Sequence, residues 1–220
     1  MIDLNIFTNC TEQNSDSAAL IERTFNSWKR VFSANTISAL KVFIDPKPKS
    51  KNFHSYSSKI QTFFEKEGMQ CSVFETNGLA DGYLKSTKLC DSDYIFQLEH
   101  DWEFLPSIVH DIPLLIECMK KQQMEHLRFN KRENINLNES LTEIQVGDIA
   151  FCKTNKRSNN PHIIDRKSYL QRWNKRIDVS NRPKRADGIE NMLVGVEGYI
   201  YGPFRYPKQI NHIDGRGQKI

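Results

Sequence analysis

No apolar run in the 220-residue chain approaches the ~20 residues that a membrane-crossing helix needs, and no segment reads as a signal peptide. Cysteine is sparse. Cys10, Cys71, Cys90, Cys118 and Cys152 are odd in number and widely spaced, with no C-x-x-C pair. That pattern excludes a zinc ribbon or a disulfide framework and fits reduced thiols, so the expected compartment is the cytoplasm. An excess of one charge is missing too: 31 Lys and Arg against 27 Asp and Glu leave a net +4. Dedicated nucleic-acid binders carry a stronger basic stripe, so no nucleic-acid partner is expected, and a mildly basic surface suits a small anionic substrate. The chain has no G-x-G-x-x-G after its first strand, no G-x-x-x-x-G-K-[ST], no G-x-S-x-G and no H-E-x-x-H. Rossmann dinucleotide, P-loop, hydrolase-elbow and zincin chemistries each fail their own motif. Internal repeats and low-complexity tracts are absent as well, and 38% hydrophobic with 26% charged residues is the composition of a folded globular chain.

The first hundred residues alternate in hydrophobic period. Strands are expected at Leu4–Thr8, Leu40–Ile44, Cys71–Phe74 and Tyr94–Leu98, separated by helices over Ala18–Phe32, His54–Lys66 and Leu79–Cys90. This rhythm predicts an α/β domain with a mostly parallel central sheet flanked by helices. After Trp102 the rhythm changes: a helix over Ser107–Gln123, a strand at Leu127–Phe129, a strand-like run over Glu143–Lys153, a helix over Arg166–Arg176 and a short one near Ile189–Val194. Tyr199–Ile213 reads as extended and aromatic, and the glycine-rich tail from Asp214 as mobile. The whole, 1–220, is read as one domain in two parts, 1–103 and 104–220, the second with a mixed C-terminal portion.

The stretch Tyr94-Ile95-Phe96-Gln97-Leu98-Glu99-His100-Asp101-Trp102-Glu103 organises the chain. A buried strand ends there in two carboxylates, where an open α/β sheet presents its ligand crevice. Glu99 and Asp101 are able to turn toward one cation, and hard oxygen ligands favour Mg²⁺ or Mn²⁺. The alternative is an acidic turn capping a helix that starts near Pro106. Thr8 and Asn9 end the first strand and Asp45 the second; Asp45 suits a uracil N3–H or ribose hydroxyl, or simple turn initiation. Asn77-Gly78 opens the third helix, whose N–H groups offer an anion site, with Lys85 one reach further along; turn chemistry and a solvated lysine are the alternatives.

The ordered series resembles the nucleotide-sugar-dependent glycosyltransferases of GT-A fold. It comprises Ile21-Glu22-Arg23-Thr24, Val42-Phe43-Ile44-Asp45, Asn77-Gly78-Leu79-Ala80-Asp81-Gly82-Tyr83 and the acidic segment just quoted, an E-x-D form of the family's D-x-D motif. His100 departs from the pattern, standing where many relatives carry a third carboxylate. The resemblance implies a hexosyl- or deoxyhexosyl-type transfer, inverting rather than retaining, from a UDP- or GDP-linked sugar to a glycan or other hydroxyl acceptor, with Mn²⁺ or Mg²⁺ as cofactor. It implies Asp101 as the main metal ligand, with Glu99 assisting and His212 as a late further ligand. It makes 1–103 the nucleotide-sugar-binding half and 104–220 the acceptor-binding half. It places Thr8, Asn9, Asp45, Asn77, Gly78, Lys85, Glu99, His100 and His162 about the donor, and Glu190, with Asp187 beside it, as catalytic base. The alternatives are a structural role for His162, a surface or packing role for His212, and helix capping by Asp187 and Glu190. Trp102, Trp173, Tyr199 and Tyr201 are candidate sugar-stacking faces, with core packing, the commoner role of aromatics in a domain this size, as the alternative. Two rivals stand: a sugar-phosphate nucleotidyltransferase, opposed by the absence of Gly and Lys from Asn9-Cys10-Thr11-Glu12-Gln13-Asn14, and a non-catalytic nucleotide- or carbohydrate-binding module of the same fold.

Overall fold

A computed structural model describes residues 1–10, 18–46, 52–136, 140–155, 158–177 and 197–213. Strands β1 (Ile2–Cys10), β2 (Ile37–Pro46), β3 (Cys71–Glu75) and β4 (Tyr94–Glu99) alternate with helices α1 (Ala19–Val31), α2 (Phe53–Lys66) and α3 (Leu79–Leu89). All three contacts among these strands are parallel, in the order β3-β2-β1-β4. Then come β5 (Trp102–Phe104), α4 (Ile112–Gln122), β6 (His126–Arg128), β7 (Leu141–Val146), β8 (Ile149–Thr154), β9 (His162–Asp165), β10 (Gly198–Tyr201) and β11 (Ile210–His212). Among the described residues, nine strands form one sheet in the order β3-β2-β1-β4-β9-β6-β10-β8-β7, and β5 pairs with β11 outside it. The sheet is thus parallel in its first half and mixed in its second, the GT-A-like α/β architecture expected.

Alternation along the strands divides the core into two layers. Ile2, Leu4 and Ile6 of β1 with Phe96 and Leu98 of β4 face α1 and α2, whose Phe25, Trp28, Ile60 and Phe64 meet them together with Phe32 just past the end of α1. Phe7, Phe43 and Ile95 face the other way, toward Tyr83 of α3 and toward Tyr169 and Trp173. Gly82 permits that approach: a Cβ there would lie 3.2 Å from the Phe7 ring. At the opposite end of the sheet from the crevice, buried Asp3 accepts from Lys41 Nζ at 2.9 Å, Ser38 Oγ at 2.7 Å, Ser92 Oγ at 2.8 Å and Asp91 N at 3.1 Å. Burial opposes the charge, but these donors win and hold its carboxyl well below the ordinary carboxylate range.

The second half departs from the sequence reading in four places. Glu143–Lys153 is a hairpin, because Gly147 turns at φ 61 between Val146 and Ile149. His162–Asp165 is a central strand, antiparallel to β4 and β6. No helix starts near Pro106: Trp102–Phe104 becomes a strand, and α4 begins only at Ile112, with Asp111 accepting from Leu114 N at 3.3 Å as its cap. Segment 166–176 is not one regular helix, since it passes from α through π at Tyr169–Trp173 to 3₁₀ at Asn174–Arg176. The short helix expected near Ile189–Val194, the basic loop Arg182–Arg185 and the tail from Asp214 lie outside the described residues. Among the described residues, no helix is long and apolar enough to cross a membrane.

Candidate functional site

The order β3-β2-β1-β4 reverses direction between β1 and β4, and ligand crevices of open α/β sheets lie outside the carboxyl ends of strands at such a reversal. Register places Phe7 opposite Glu99, so the end of β1 and the acidic segment lie side by side. The chain turns at His100 because the Phe7 carbonyl captures it: the His100 backbone N–H donates to Phe7 O at 2.9 Å, and ring Nδ1 stands 3.3 Å from the same oxygen. Thr24 of α1 donates to the His100 carbonyl. His100 is buried in this turn.

Asp101 follows with only 3% of its surface exposed. The β5–β11 ladder then brings a distant residue to it. Antiparallel register sets His212 opposite Trp102, and Ile213 N donates to Asp101 O at 2.8 Å. His212 Nε2 thereby stands 3.2 Å from Asp101 Oδ2, its ring edge-on to Trp102 at 4.6 Å between centroids. Lys131 Nζ lies 5.8 Å from the Trp102 ring. An octahedral cation holding ligands at about 2.1 Å spaces neighbouring donor atoms about 3 Å apart. The carboxylate–imidazole pair meets that spacing, and both atom types suit Mn²⁺. No group of three or more His, Cys, Asp or Glu able to hold a metal occurs among the described residues, so Glu99, half-buried at the tip of β4, is not gathered with the other two.

The nucleoside-side candidates share the neighbouring rim. Asp45 Oδ1 accepts from Gly78 N at 3.1 Å, Asp81 Oδ2 accepts from Asn77 N at 2.9 Å, and Gly78 makes the turn at φ 91. The amides expected to receive an anion thus already serve two carboxylates of the chain. Lys85 pairs with Asp81 at 2.8 Å and donates to Glu75 O at 3.0 Å. The Thr8 hydroxyl shares a 3.0 Å hydrogen bond with Tyr56 of α2, whose phenol burial pushes up to about 12. Asn9 pairs in register with Asp45.

His162 is buried on β9. Its Nδ1 is 2.7 Å from Asn160 O and its Nε2 3.0 Å from Gln97 Oε1, while Gln97 Nε2 donates to Ser86 Oγ at 2.9 Å. The ring stacks on His126 at 4.4 Å, and Arg128, also buried, sits opposite His162 in register. Trp102, Trp173, Tyr199 and Tyr201 are all buried, so of the two roles open to them it is packing in the core that the structure shows, not a sugar-stacking face. Asp187 and Glu190 lie outside the described residues. Sequence reasoning missed Tyr56 and Asp81 as partners of the rim. Only Asp81 carried a signal, four residues beyond the Asn77 whose amide it accepts.

The fold is shared with solved structures. S. aureus TarS 1–349 in complex with UDP-GlcNAc superposes with a TM-score of 0.57 at 10% identity, over 95% of this chain and 58% of that one. GalNAc-T7 with UDP, GalNAc and Mn²⁺ gives 0.62 at 8% identity, over 97% of this chain and 43% of that one. A putative glucose-1-phosphate thymidylyltransferase from Bacillus anthracis in complex with a sucrose gives 0.52 at 14% identity, over 88% and 82%. This chain spans about half the length of the first two. At such identities the likeness establishes the fold, and the fold accommodates glycosyl and nucleotidyl transfer alike. No protein-family model and no curated protein matches the sequence.

Proposed function

We propose that the chain is a metal-dependent glycosyltransferase that moves a sugar from a nucleoside diphosphate donor, UDP- or GDP-linked, to a hydroxyl acceptor with inversion. One observation carries the reading: His212 Nε2 stands 3.2 Å from Asp101 Oδ2 at the mouth of the β1/β4 reversal, delivered there by a separate two-stranded ladder. Asp101 and His212 would hold the divalent cation, with donor phosphate oxygens completing its shell. A bound Mn²⁺ or Mg²⁺ supplies positive charge opposite the diphosphate as it departs, the point at which the transition state gathers negative charge. The protein's own part is positional. Asp45 and the Asn77-Gly78 turn form the rim that receives the nucleoside, and Glu99 at the tip of β4 takes ribose or metal-bound water. Glu190, with Asp187 beside it in sequence, would serve in the acceptor half as the base that withdraws the acceptor's proton.

Nucleotidyl transfer is the second reading, favoured by the Bacillus anthracis likeness, which reaches over 82% of that chain. Against it, the segment after β1 has neither Gly nor Lys between Asn9 and Asn14 with which to fold around a triphosphate. A paired assay separates the two. The protein with Mn²⁺ is offered UDP- and GDP-sugars while nucleoside diphosphate release is followed, and nucleoside triphosphates with sugar 1-phosphates while pyrophosphate release is followed. Release only in the first set is expected; release only in the second would overturn the proposal, and stabilisation by a glycan alone would point to a binding module.

A further inference from the structure

The contact between His212 and Asp101 depends on a strap, residues 198–213, that crosses from β10 to β11. Three residue pairs of β5–β11 ladder are a weak register lock, and a slip of one residue would turn His212 to the opposite face. Two wholly buried amides supply what the ladder lacks. Gln209, 0% exposed, uses all four of its polar groups. Its backbone N donates to Asn130 O at 2.8 Å and its carbonyl accepts from Leu105 N at 2.9 Å. Its Oε1 accepts from Asn130 N, and its Nε2 donates to Pro207 O at 2.7 Å. It thus stitches the strap to the exits of both β5 and β6.

Asn134, also 0% exposed, gathers the turn before it: Nδ2 faces the carbonyls of Tyr201 at 2.9 Å, Gly202 at 3.2 Å and Pro203 at 3.1 Å. Its backbone N–H donates to Tyr206 O at 3.0 Å, and its carbonyl accepts from Arg205 N at 2.7 Å. The turn it holds is strained. Arg205 sits at φ 63, in the left-handed region that is unfavourable for a side-chain-bearing residue. At Gly202, φ 87, a Cβ would fall 2.4 Å from the Tyr206 ring. Such a conformation persists only where surrounding contacts over-determine it.

We propose that Gln209 and Asn134 are positioning residues, whose hydrogen bonds fix the strap's register and so set His212 beside Asp101. The consequence for ligand binding rests on the reading that this pair holds the cation. The test uses Gln209→Met, which keeps the side chain's volume and removes its hydrogen bonds, and takes two readouts by NMR. The first is metal-free: nuclear Overhauser contacts between the His212 ring and the Trp102 indole. The second is broadening of the His212 ring resonances as Mn²⁺ is titrated with UDP present. The variant is expected to lose the His212–Trp102 contacts and to need roughly 10–100 times more Mn²⁺, the usual range when the support of a metal ligand is removed.

Retention of both wild-type responses would overturn the proposal. Loss of the contacts in the variant, combined with no Mn²⁺ response in the wild type, would sink the metal reading and leave the positioning role standing. Should Gln209→Met fail to fold, Asn134→Ser, which releases the turn at its other end, is read in the same way.

Discussion

Replacing Asp101 by Asn separates a metal ligand from a structural carboxylate, because the two roles move stability in different states of the protein. In the ligand-free protein the carboxylate is 4% exposed and its partner His212 is 34% exposed. Removing one member of a buried pair is severe, ~3–5 kcal/mol, when the other is left charged and enclosed. His212 is not fully enclosed, and Asn keeps an oxygen able to accept from it. The ligand-free variant should therefore melt within ~1 kcal/mol of the wild type, or ~2–4 °C for a chain of this size. With UDP and Mn²⁺ at ~100 times their dissociation constant, the wild type gains ~2.7 kcal/mol, an upward shift of about 5–10 °C. Loss of the one anionic ligand costs affinity at the upper end of the ~10–100-fold range known for weaker perturbations of metal sites. At ~100-fold, ligand falls to about its dissociation constant and the shift shrinks to ~0.4 kcal/mol, or ~1 °C. Thermal melts with and without each component measure all four states. The reasoning is refuted if the wild-type shift with UDP is the same without Mn²⁺, or if Asp101→Asn keeps the full metal-dependent shift.

Glu190→Gln should lower sugar transfer by ~10²–10⁴-fold while leaving the UDP–Mn²⁺ melting shift intact, and an unchanged turnover would remove Glu190 as base. Gly82→Ala opposes ~1 kcal/mol of helix propensity against a Cβ pressed to 3.2 Å from a Phe7 ring already stacked on Tyr83 at 4.5 Å and Phe43 at 5.4 Å. Overpacking of ~1–3 kcal/mol should win, visible as a lower urea midpoint at unchanged slope. Asp3→Asn leaves Lys41 buried without its carboxylate and should cost ~3–5 kcal/mol in urea unfolding. The folded-state pKa of Asp3 lies below its unfolded value, so its contribution is present above pH ~4 and fades as pH falls from there, and the gap between wild type and Asp3→Asn should narrow on acidification.

The first half of the fold was legible because each of its elements carries a complete local signal. Leu40 to Ile44 and Tyr94 to Leu98 are apolar runs of strand length, while Ile21, Phe25, Trp28 and Phe32 recur at helical spacing, so little was left for tertiary context to decide. In the second half the signals are short or borrowed. His162-Ile163-Ile164-Asp165 has only two β-branched residues, and its place between β4 and β6 comes from partners distant in sequence. Trp102-Glu103-Phe104 carries no strand expectation of its own, lying between the acidic segment and a helix expected from near Pro106. It is a strand because β11 pairs with it, from an extended segment far along the chain. Gly147-Asp148 between Val146 and Ile149 did announce a hairpin turn, and the continuous apolar reading across it passed over that signal.

The candidate site shows the same division between local chemistry and long-range delivery, with a consequence for how a ligand enters it. Each acidic residue of the rim already holds something: Asp45 the Gly78 amide, Asp81 the Asn77 amide and Lys85, Asp101 the His212 imidazole. Binding a diphosphate and a cation is therefore an exchange of partners, not the filling of bare groups. An anion arriving at the start of α3 must compete with two carboxylates for the same amides, which favours entry together with its cation over entry alone. A cation arriving between Asp101 and His212 would likewise have to share a carboxylate oxygen that the imidazole already contacts at 3.2 Å. On the proposed reading those two requirements act in one direction: they would make the site selective for a metal–diphosphate pair over either component. The free nucleotide without Mn²⁺, and Mn²⁺ without nucleotide, should each stabilise the protein less than the sum implied by the complete complex.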